Sequence, residues 1–312
     1  MRTLTLGTRG SALALWQART VAGLLEASGA RVELAIIRTE GDRLQQRPLT
    51  ETGTKRLFVK EIEDALMRGD VDLAVHSAKD MPAVLPDGLD IAAVLPREDP
   101  RDALVLGESV KVVDLAAAVA HLGETPVVGT SSVRRVAQLS GLLPQATFAP
   151  IRGNVDTRLR KLDAGEFHAI VLAAAGMRRL GFAARISAAI PVEVCVPAPG
   201  QGIVAVEIRS DDDETRRALA PISDHPAAVS LIAERTVVEA LGGGCQLPLG
   251  AIALHASGGL QLYGVVASPD GRQVIRREAT GPASDAAALG RQLADALAEG
   301  GARAILNDAR KA

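Results

Sequence analysis

Over its first two thirds the chain alternates short, nearly continuous apolar runs with stretches of helical period, and this alternation constrains it to an α/β fold built on parallel sheets. LTLGT (4–8) reads as a strand, and Ser11 is placed to cap a helix carrying Leu13, Leu15, Val21, Leu24 and Leu25. VELAIIRT (32–39) has the unbroken apolar character of a parallel strand buried on both faces. FVKEIEDALMRGD (58–70) is an amphipathic helix ending at Gly69, and VDLAVHS (71–77) and LDIAAVL (89–95) are further strands. Residues 40–56 are polar and aperiodic, which in a compact domain marks a functional or mobile loop.

The pattern restarts after PREDPRD (96–102), a charged, Pro-rich crossing point. PVVGTSS (126–132), TFAPIRGN (147–154) and HAIVLAAAG (168–176) are each a strand running into a helix or loop, and GIVAVEIR (202–209) is a buried strand reached through PAPGQG (197–202). The last part changes character. A helix from about Ala227 to Leu241 leads through GGGCQLPLG into three strand-like runs with Pro269-Asp270-Gly271 as hairpin chemistry, then a helix over roughly Asp285 to Glu299. The division expected is a discontinuous α/β domain of 1–96 and 202–220, an α/β domain of 100–198, and an α+β domain of 224–312.

Composition narrows the function. The 312 residues are 47% hydrophobic and 23% charged, with a formal net charge of −2, so neither a basic nucleic-acid binder nor an acidic tail is indicated. Aromatics amount to 2%, too few for base-stacking platforms. No apolar run reaches membrane-spanning length, no secretory leader is visible, and two cysteines without a C-x-x-C pair cannot form a disulfide framework. The expectation is a cytoplasmic protein with no nucleic-acid or membrane partner and no metal site, since no cluster has ligand spacing.

Chemistry concentrates where strands end. TRGS (8–11), HSAKD (76–80), GTSSVRR (129–135), IRGNVDTR (151–158) and GMRR (176–179) each combine small or hydroxyl residues with Lys or Arg. Open α/β sheets bind ligands outside the carboxyl ends of their strands, where backbone N–H groups accept anions and guanidinium forks pair with carboxylates. From Thr130 to Leu180 eight Lys and Arg face three Asp and Glu, a local +5 inside the near-neutral total. The ligand should carry several negative charges. Asp80 stands apart among these cations: beside Lys79 it would be ionised, able to accept a proton or stabilise a developing cation. Cys195, within VEVCVPAP, reads as a packed thiol. Cys245 follows three glycines, more than a helix cap requires, and suits covalent attachment or nucleophilic use.

Taken in order, TRGSALALWQ (8–17), LFVKEIEDAL (57–66), AVHSAKDMP (74–82), REDPRDAL (97–104), GTSSVRR (129–135), RGNVDTRLRKLD (152–163), PGQG (199–202) and GGGCQLPLGA (242–251) resemble the segments of the porphobilinogen deaminase family over essentially the whole chain. The resemblance implies an α/β architecture of two type II periplasmic-binding-protein-like domains around a cleft plus a small C-terminal α+β domain. It implies a monomeric transferase of tetrapyrrole and haem biosynthesis. Such an enzyme condenses four porphobilinogen molecules head to tail with release of ammonia and then hydrolyses off the linear tetrapyrrole hydroxymethylbilane.

By the same resemblance Cys245 would hold a dipyrromethane cofactor through a thioether. Lys79, Asp80, Ser132, Arg134, Arg135 and Arg158 would bind that cofactor, while Arg9, Ser11, Thr130, Arg152 and Arg179 would lie on the substrate side. Phe58 and Lys55 would belong to a lid, and Asp80 would be catalytic, stabilising the cationic azafulvene left when ammonia departs. The chain departs from the family at Glu40 and Glu51, where a basic residue and a Lys are usual. Each pyrrole bears an acetate and a propionate, which matches the many guanidiniums. Two other readings remain open from the residues alone: a cytosolic module of the same fold that binds or senses a small anion, and a cysteine-dependent acyl transferase, for which His76, His225 and His255 show no certifying arrangement near Cys245.

Overall fold

A computed structural model describes residues 2–39, 59–243 and 247–311. In chain order its strands are β1 (Thr3–Thr8), β2 (Arg31–Ile36), β3 (Leu73–Ser77), β4 (Leu89–Val94), β5 (Asp102–Leu106), β6 (Val127–Gly129), β7 (Thr147–Ala149), β8 (Ala169–Ala173), β9 (Ala188–Ala189), β10 (Val204–Arg209), β11 (Leu249–Ala256), β12 (Gly259–Ala267) and β13 (Val274–Gly281). They fall into two compact units, Met1–Arg97 with Ile203–Ala228, and Glu98–Gly202 with Val229–Ala312. The chain passes between units at three places: 97/98, inside PREDPRD; 202/203, at the end of PAPGQG; and 228/229, within the His225–Ala240 helix, which the sequence does not mark as a crossing.

The first unit holds a sheet of order β2-β1-β3-β10-β4. β1 pairs in parallel with β2 and β3, whereas β10 runs antiparallel to β3 and β4. On one face the Ala12–Ala27 helix lays Ala18, Val21 and Leu25 over Leu4, Leu6, Leu73, Val206 and Ile208. On the other, Ile62, Ala65 and Leu66 of the Lys60–Arg68 helix cover Val71 and Ala74. Each such Leu or Ile contributes about 1.5–3 kcal/mol by leaving water. Gly69 ends that helix in the left-handed region, with φ 77°, as a glycine cap should.

One strand differs from expectation. VELAIIRT does supply a parallel strand, but among the described residues β2 is an edge strand whose only ladder is with β1, and Leu34 and Ile36 are 39% and 60% exposed. An unbroken apolar run specifies a strand; it does not specify the strand's place in the order.

In the second unit the order β7-β6-β8-β5-β9 repeats the plan. Three parallel strands stand side by side, and the strand in fourth place, β5, is antiparallel to β8 and β9. In each sheet that antiparallel strand is the one the chain enters on arriving from the other unit. A separate antiparallel sheet, β11-β12-β13, is covered by the Ala286–Glu299 helix, whose Leu293 and Leu297 approach Gly264 so closely that a Cβ there would lie within 3 Å of both. A further helix, Ala302–Lys311, follows. Among the described residues no helix is long and apolar enough to cross a membrane.

Candidate functional site

Parallel strands present their carboxyl ends along one edge, so the sheet orders bring the five junctions together in two groups. In the first unit β1 and β3 are neighbours, and TRGS and HSAKD leave them side by side. Ser11 caps the Ala12–Ala27 helix, accepting from Ala14 N–H at 3.3 Å. A short 3-10 turn, Ala78–Asp80, follows β3 and leaves Asp80 exposed. Between the two junctions lies a hollow lined by Arg9, Ser11, Gln17, His76, Ser77 and Asp80 above the apolar Val59 and Val75. The buried Gln17 Nε2 donates to Ser77 Oγ at 2.9 Å, tying the helix to the end of β3. Lys79, half-buried, stands beside Asp80 in the same turn.

His76 faces inward as well. Its Nε2 lies 3.1 Å from Glu207 Oε2, and both side chains are almost wholly buried. Neither residue belonged to the expected site, because a His in a strand looks like any other core histidine.

The second group sits at the ends of β6, β7 and β8. Ser132 caps the Val133–Leu139 helix, and Thr130 Oγ1 accepts from Ser132 N–H at 3.2 Å. Ser131 Oγ donates to Ile151 O at 2.8 Å and accepts from Ile151 N–H at 3.1 Å, fastening the first junction to the second. Arg158 Nε donates to Gly153 O at 2.8 Å, and Arg152 is half-buried in the same loop. Arg179 Nη2 donates to Gly202 O at 2.6 Å, with its guanidinium pushed down by burial, while Arg178 pairs with Glu98 and Asp99.

Arg134 and Arg135 have a different setting from the other cations. They are only 5% and 7% exposed and share the fully buried Asp102. Arg134 Nη1 is 2.8 Å from Asp102 Oδ2, and Arg135 Nε and Nη2 donate to Oδ1 at 3.0 and 2.8 Å. Burial alone would push the Asp102 carboxyl up, but the two guanidiniums overrule it and hold it far below the usual carboxylate range. Cys195 Sγ lies 3.4 Å from Asp102 Oδ2, and burial, with that carboxylate beside it, pushes the thiol up to about 12. It is a packed, unreactive thiol, as its sequence setting indicates.

Part of the local +5 is therefore answered within the unit. Asp102 lies outside the 130–180 window and balances one of two arginines, and Glu98 and Asp99, also outside it, face Arg178 at 3.9 and 3.5 Å. Cys245, Lys55, Phe58, Glu40 and Glu51 lie outside the described residues. Among the described residues no group of His, Cys, Asp and Glu could hold a metal ion.

Comparison with known proteins decides what these junctions belong to. Residues 4–217 match the family model "Porphobilinogen deaminase, dipyromethane cofactor binding domain", and residues 228–299 match the C-terminal domain of the same enzyme. The chain belongs to the porphobilinogen deaminase family. It is 46% identical over 313 aligned residues to the porphobilinogen deaminase of Syntrophobacter fumaroxidans, covering 100% of this chain and 99% of that one. It is 47% identical to that of Chromobacterium violaceum, covering 98% and 97%. Among solved structures, the periplasmic VFT2 domain of Bordetella pertussis BvgS, as its double mutant F375E/Q461E, aligns with TM-score 0.41 and 17% identity over 72% of this chain and 90% of that one. With the family come transferase activity in tetrapyrrole biosynthesis and a dipyrromethane cofactor.

The described residues fit such a cofactor. Its side chains are carboxylates, and the second unit offers cations at three adjoining strand ends. One of those sites, Arg134 with Arg135, retains a net positive charge after Asp102 is counted.

Proposed function

We propose that the chain joins four porphobilinogen molecules head to tail with loss of ammonia, on a dipyrromethane held by a thioether to Cys245, and then releases hydroxymethylbilane by hydrolysis. When bound, dipyrromethane supplies the nucleophilic pyrrole carbon from which the chain grows. Asp80 is the catalytic residue. Its carboxylate meets the pyrrole N–H of the substrate, and it stabilises the positive charge that spreads over the ring as ammonia departs. It also takes up or passes on the ring proton released when the new bond forms. Arg9 and Ser11 hold the substrate's carboxylates beside it, and Thr130, Arg152 and Arg179 also serve in substrate binding.

Lys79, Ser132, Arg134 and Arg158 bind the cofactor's acetates and propionates. Arg135 contributes by holding Asp102, since its Nε, Nη1 and Nη2 are all engaged, Nη1 on Val171 O at 2.9 Å. Lys55 and Phe58 act in the lid. The working molecule is a cytoplasmic monomer with no nucleic-acid partner, divided into 1–96 with 202–220, 100–198 and 224–312.

The observation that carries this reading is the placing of Asp80 in one hollow with Arg9, Ser11 and Gln17, from two neighbouring strand ends. Intact mass of the purified protein tests it. An increment of two linked pyrroles, absent from Cys245→Ser, together with porphobilinogen consumption that Asp80→Asn abolishes without loss of the increment, supports it. Unmodified protein that consumes no porphobilinogen overturns it and favours an anion-binding module.

A further inference from the structure

The buried cluster around Asp102 has an unbalanced charge and an unequal division of hydrogen bonds. Two guanidiniums face one carboxylate, and the neighbouring Cys195 thiol stays neutral, so the cluster keeps one net positive charge in nearly complete burial. A buried charge without a counterion is costly, and a site that retains one is built to receive an anion.

The two arginines are not equivalent. Arg135 is committed through Nε and Nη2 to Asp102 and through Nη1 to Val171 O. Among the described residues Arg134 makes its contacts through Nη1, to Asp102 Oδ2 at 2.8 Å, Val196 O at 2.7 Å and Cys195 Sγ at 3.4 Å, which leaves its second terminal nitrogen for a ligand.

The same carboxylate reaches the segments at two of the chain crossings, 97/98 and 202/203. Asp102 opens β5 just after the first crossing. Gln201, one residue before the end of the second, donates from Nε2 to Asp102 Oδ1 at 2.9 Å and to Pro100 O at 2.7 Å. Gln138, one turn beyond Arg134, accepts from Val196 N–H at 2.8 Å and donates to Val196 O at 3.0 Å.

We propose that Asp102 is a positioning residue for the anion site at the GTSSVRR junction. It locks Arg135 as an internal strut, aims Arg134 at the incoming carboxylate, and leaves the site one positive charge to match one carboxylate. The inference rests on the cofactor reading above for the identity of that carboxylate, and on the geometry alone for the roles of the three residues.

The test compares charge variants of the full-length protein. Asp102→Asn keeps the shape and removes the charge. It is expected to lower the fraction of chains carrying the two-pyrrole increment at least fivefold and to raise the KM for porphobilinogen more than it lowers kcat. Its thermal midpoint should rise more steeply with inorganic sulfate than the parent's, because two buried cations then lack a partner. Asp102→Asn with Arg135→Gln restores one net charge and should bring cofactor content back to within about threefold of the parent. Asp102→Asn with Arg134→Gln has the same net charge without the ligand-facing arginine and should not recover.

Equal behaviour of the two double variants, or parent-like cofactor content and sulfate response in Asp102→Asn, overturns the proposal. If Asp102→Asn fails to fold, Gln201→Met, which removes one hydrogen bond from Asp102, must still raise the KM and steepen the sulfate response; unchanged values overturn it. A parent protein without the pyrrole increment would instead contradict the cofactor reading, and the sulfate comparison would still judge the roles of the three residues.

Discussion

Gln17 and Ser77 are joined by a hydrogen bond of 2.9 Å that spans 60 residues of sequence and fixes the first helix against the end of β3, beside Asp80. Gln17 is buried, so removing its amide leaves the serine hydroxyl short of a partner. Gln17→Leu should cost about 1 kcal/mol in urea unfolding, as should Ser77→Ala, and the double variant should cost clearly less than their sum because both remove one bond. Strict additivity would show that the bond does not hold the hollow together.

Asp80→Asn separates binding from turnover. The amide keeps the size and one acceptor but cannot carry the negative charge that faces a developing cation. Turnover of porphobilinogen should fall by about 10²–10⁴, the range for removing a positioned proton acceptor or electrostatic stabiliser. Thermal stability should be unchanged, because the side chain is exposed. A matching loss of stability and activity would assign Asp80 a structural role.

The strand ends were readable because their residue types are unusual together: hydroxyls, small residues and guanidiniums directly after apolar runs. Asp102 was not readable, although it organises two of those guanidiniums. It lies in REDPRD, where a carboxylate looks solvated, and its partners come 32 and 33 residues later on an element whose packing no local pattern reveals. β2 shows the same limit, since its apolar run gives no hint that the strand closes the sheet on one side. The Ala302–Lys311 helix was hidden by the paired glycines before it, yet Ala302, Ile305 and Leu306 are buried at helical spacing, and that was a usable signal.

Gly153 carries the loop between β7 and the Val155–Asp163 helix with φ 107°, and a Cβ there would lie 2.7 Å from Thr157 Cγ2. Both the backbone and the space therefore require glycine. Gly153→Ala should destabilise the protein by about 1–3 kcal/mol. Because Arg158 donates to the Gly153 carbonyl, it should also raise the KM for porphobilinogen. The paired substitution Gly153→Ala with Thr157→Ser removes the Cγ2 contact but leaves the Cβ of residue 157 at 2.9 Å and the backbone strain, so only a small part of the stability should return.

The two cysteines offer a count. With its thiol pushed up to about 12, Cys195 stays protonated at pH 8, and it is buried. Iodoacetamide should leave it untouched in the folded protein. In guanidinium one thiol per chain should react if Cys245 is held in a thioether, and the peptide bearing the label should be that of Cys195. Two reactive thiols after unfolding would mean that Cys245 carries nothing.

Acid should find Asp102 last. Its carboxyl lies far below the usual range in the folded protein, whereas in the unfolded chain it returns to about 3.9. A depressed folded value gives stability that is fully present above the unfolded value and is lost as pH falls through the folded one. The ion pair's contribution is therefore intact at pH 6 and declines progressively below about pH 4. Asp99 and Asp212 are also held low, by hydrogen bonds from Arg101 and Thr215 respectively, and add to the acid sensitivity of the whole. The difference between proteins isolates Asp102: urea midpoints of the parent should fall more between pH 5 and pH 3 than those of Asp102→Asn, which has no proton to gain there. Parallel curves would mean that the buried carboxylate is not ionised, and that the two guanidiniums beside it are balanced by something else.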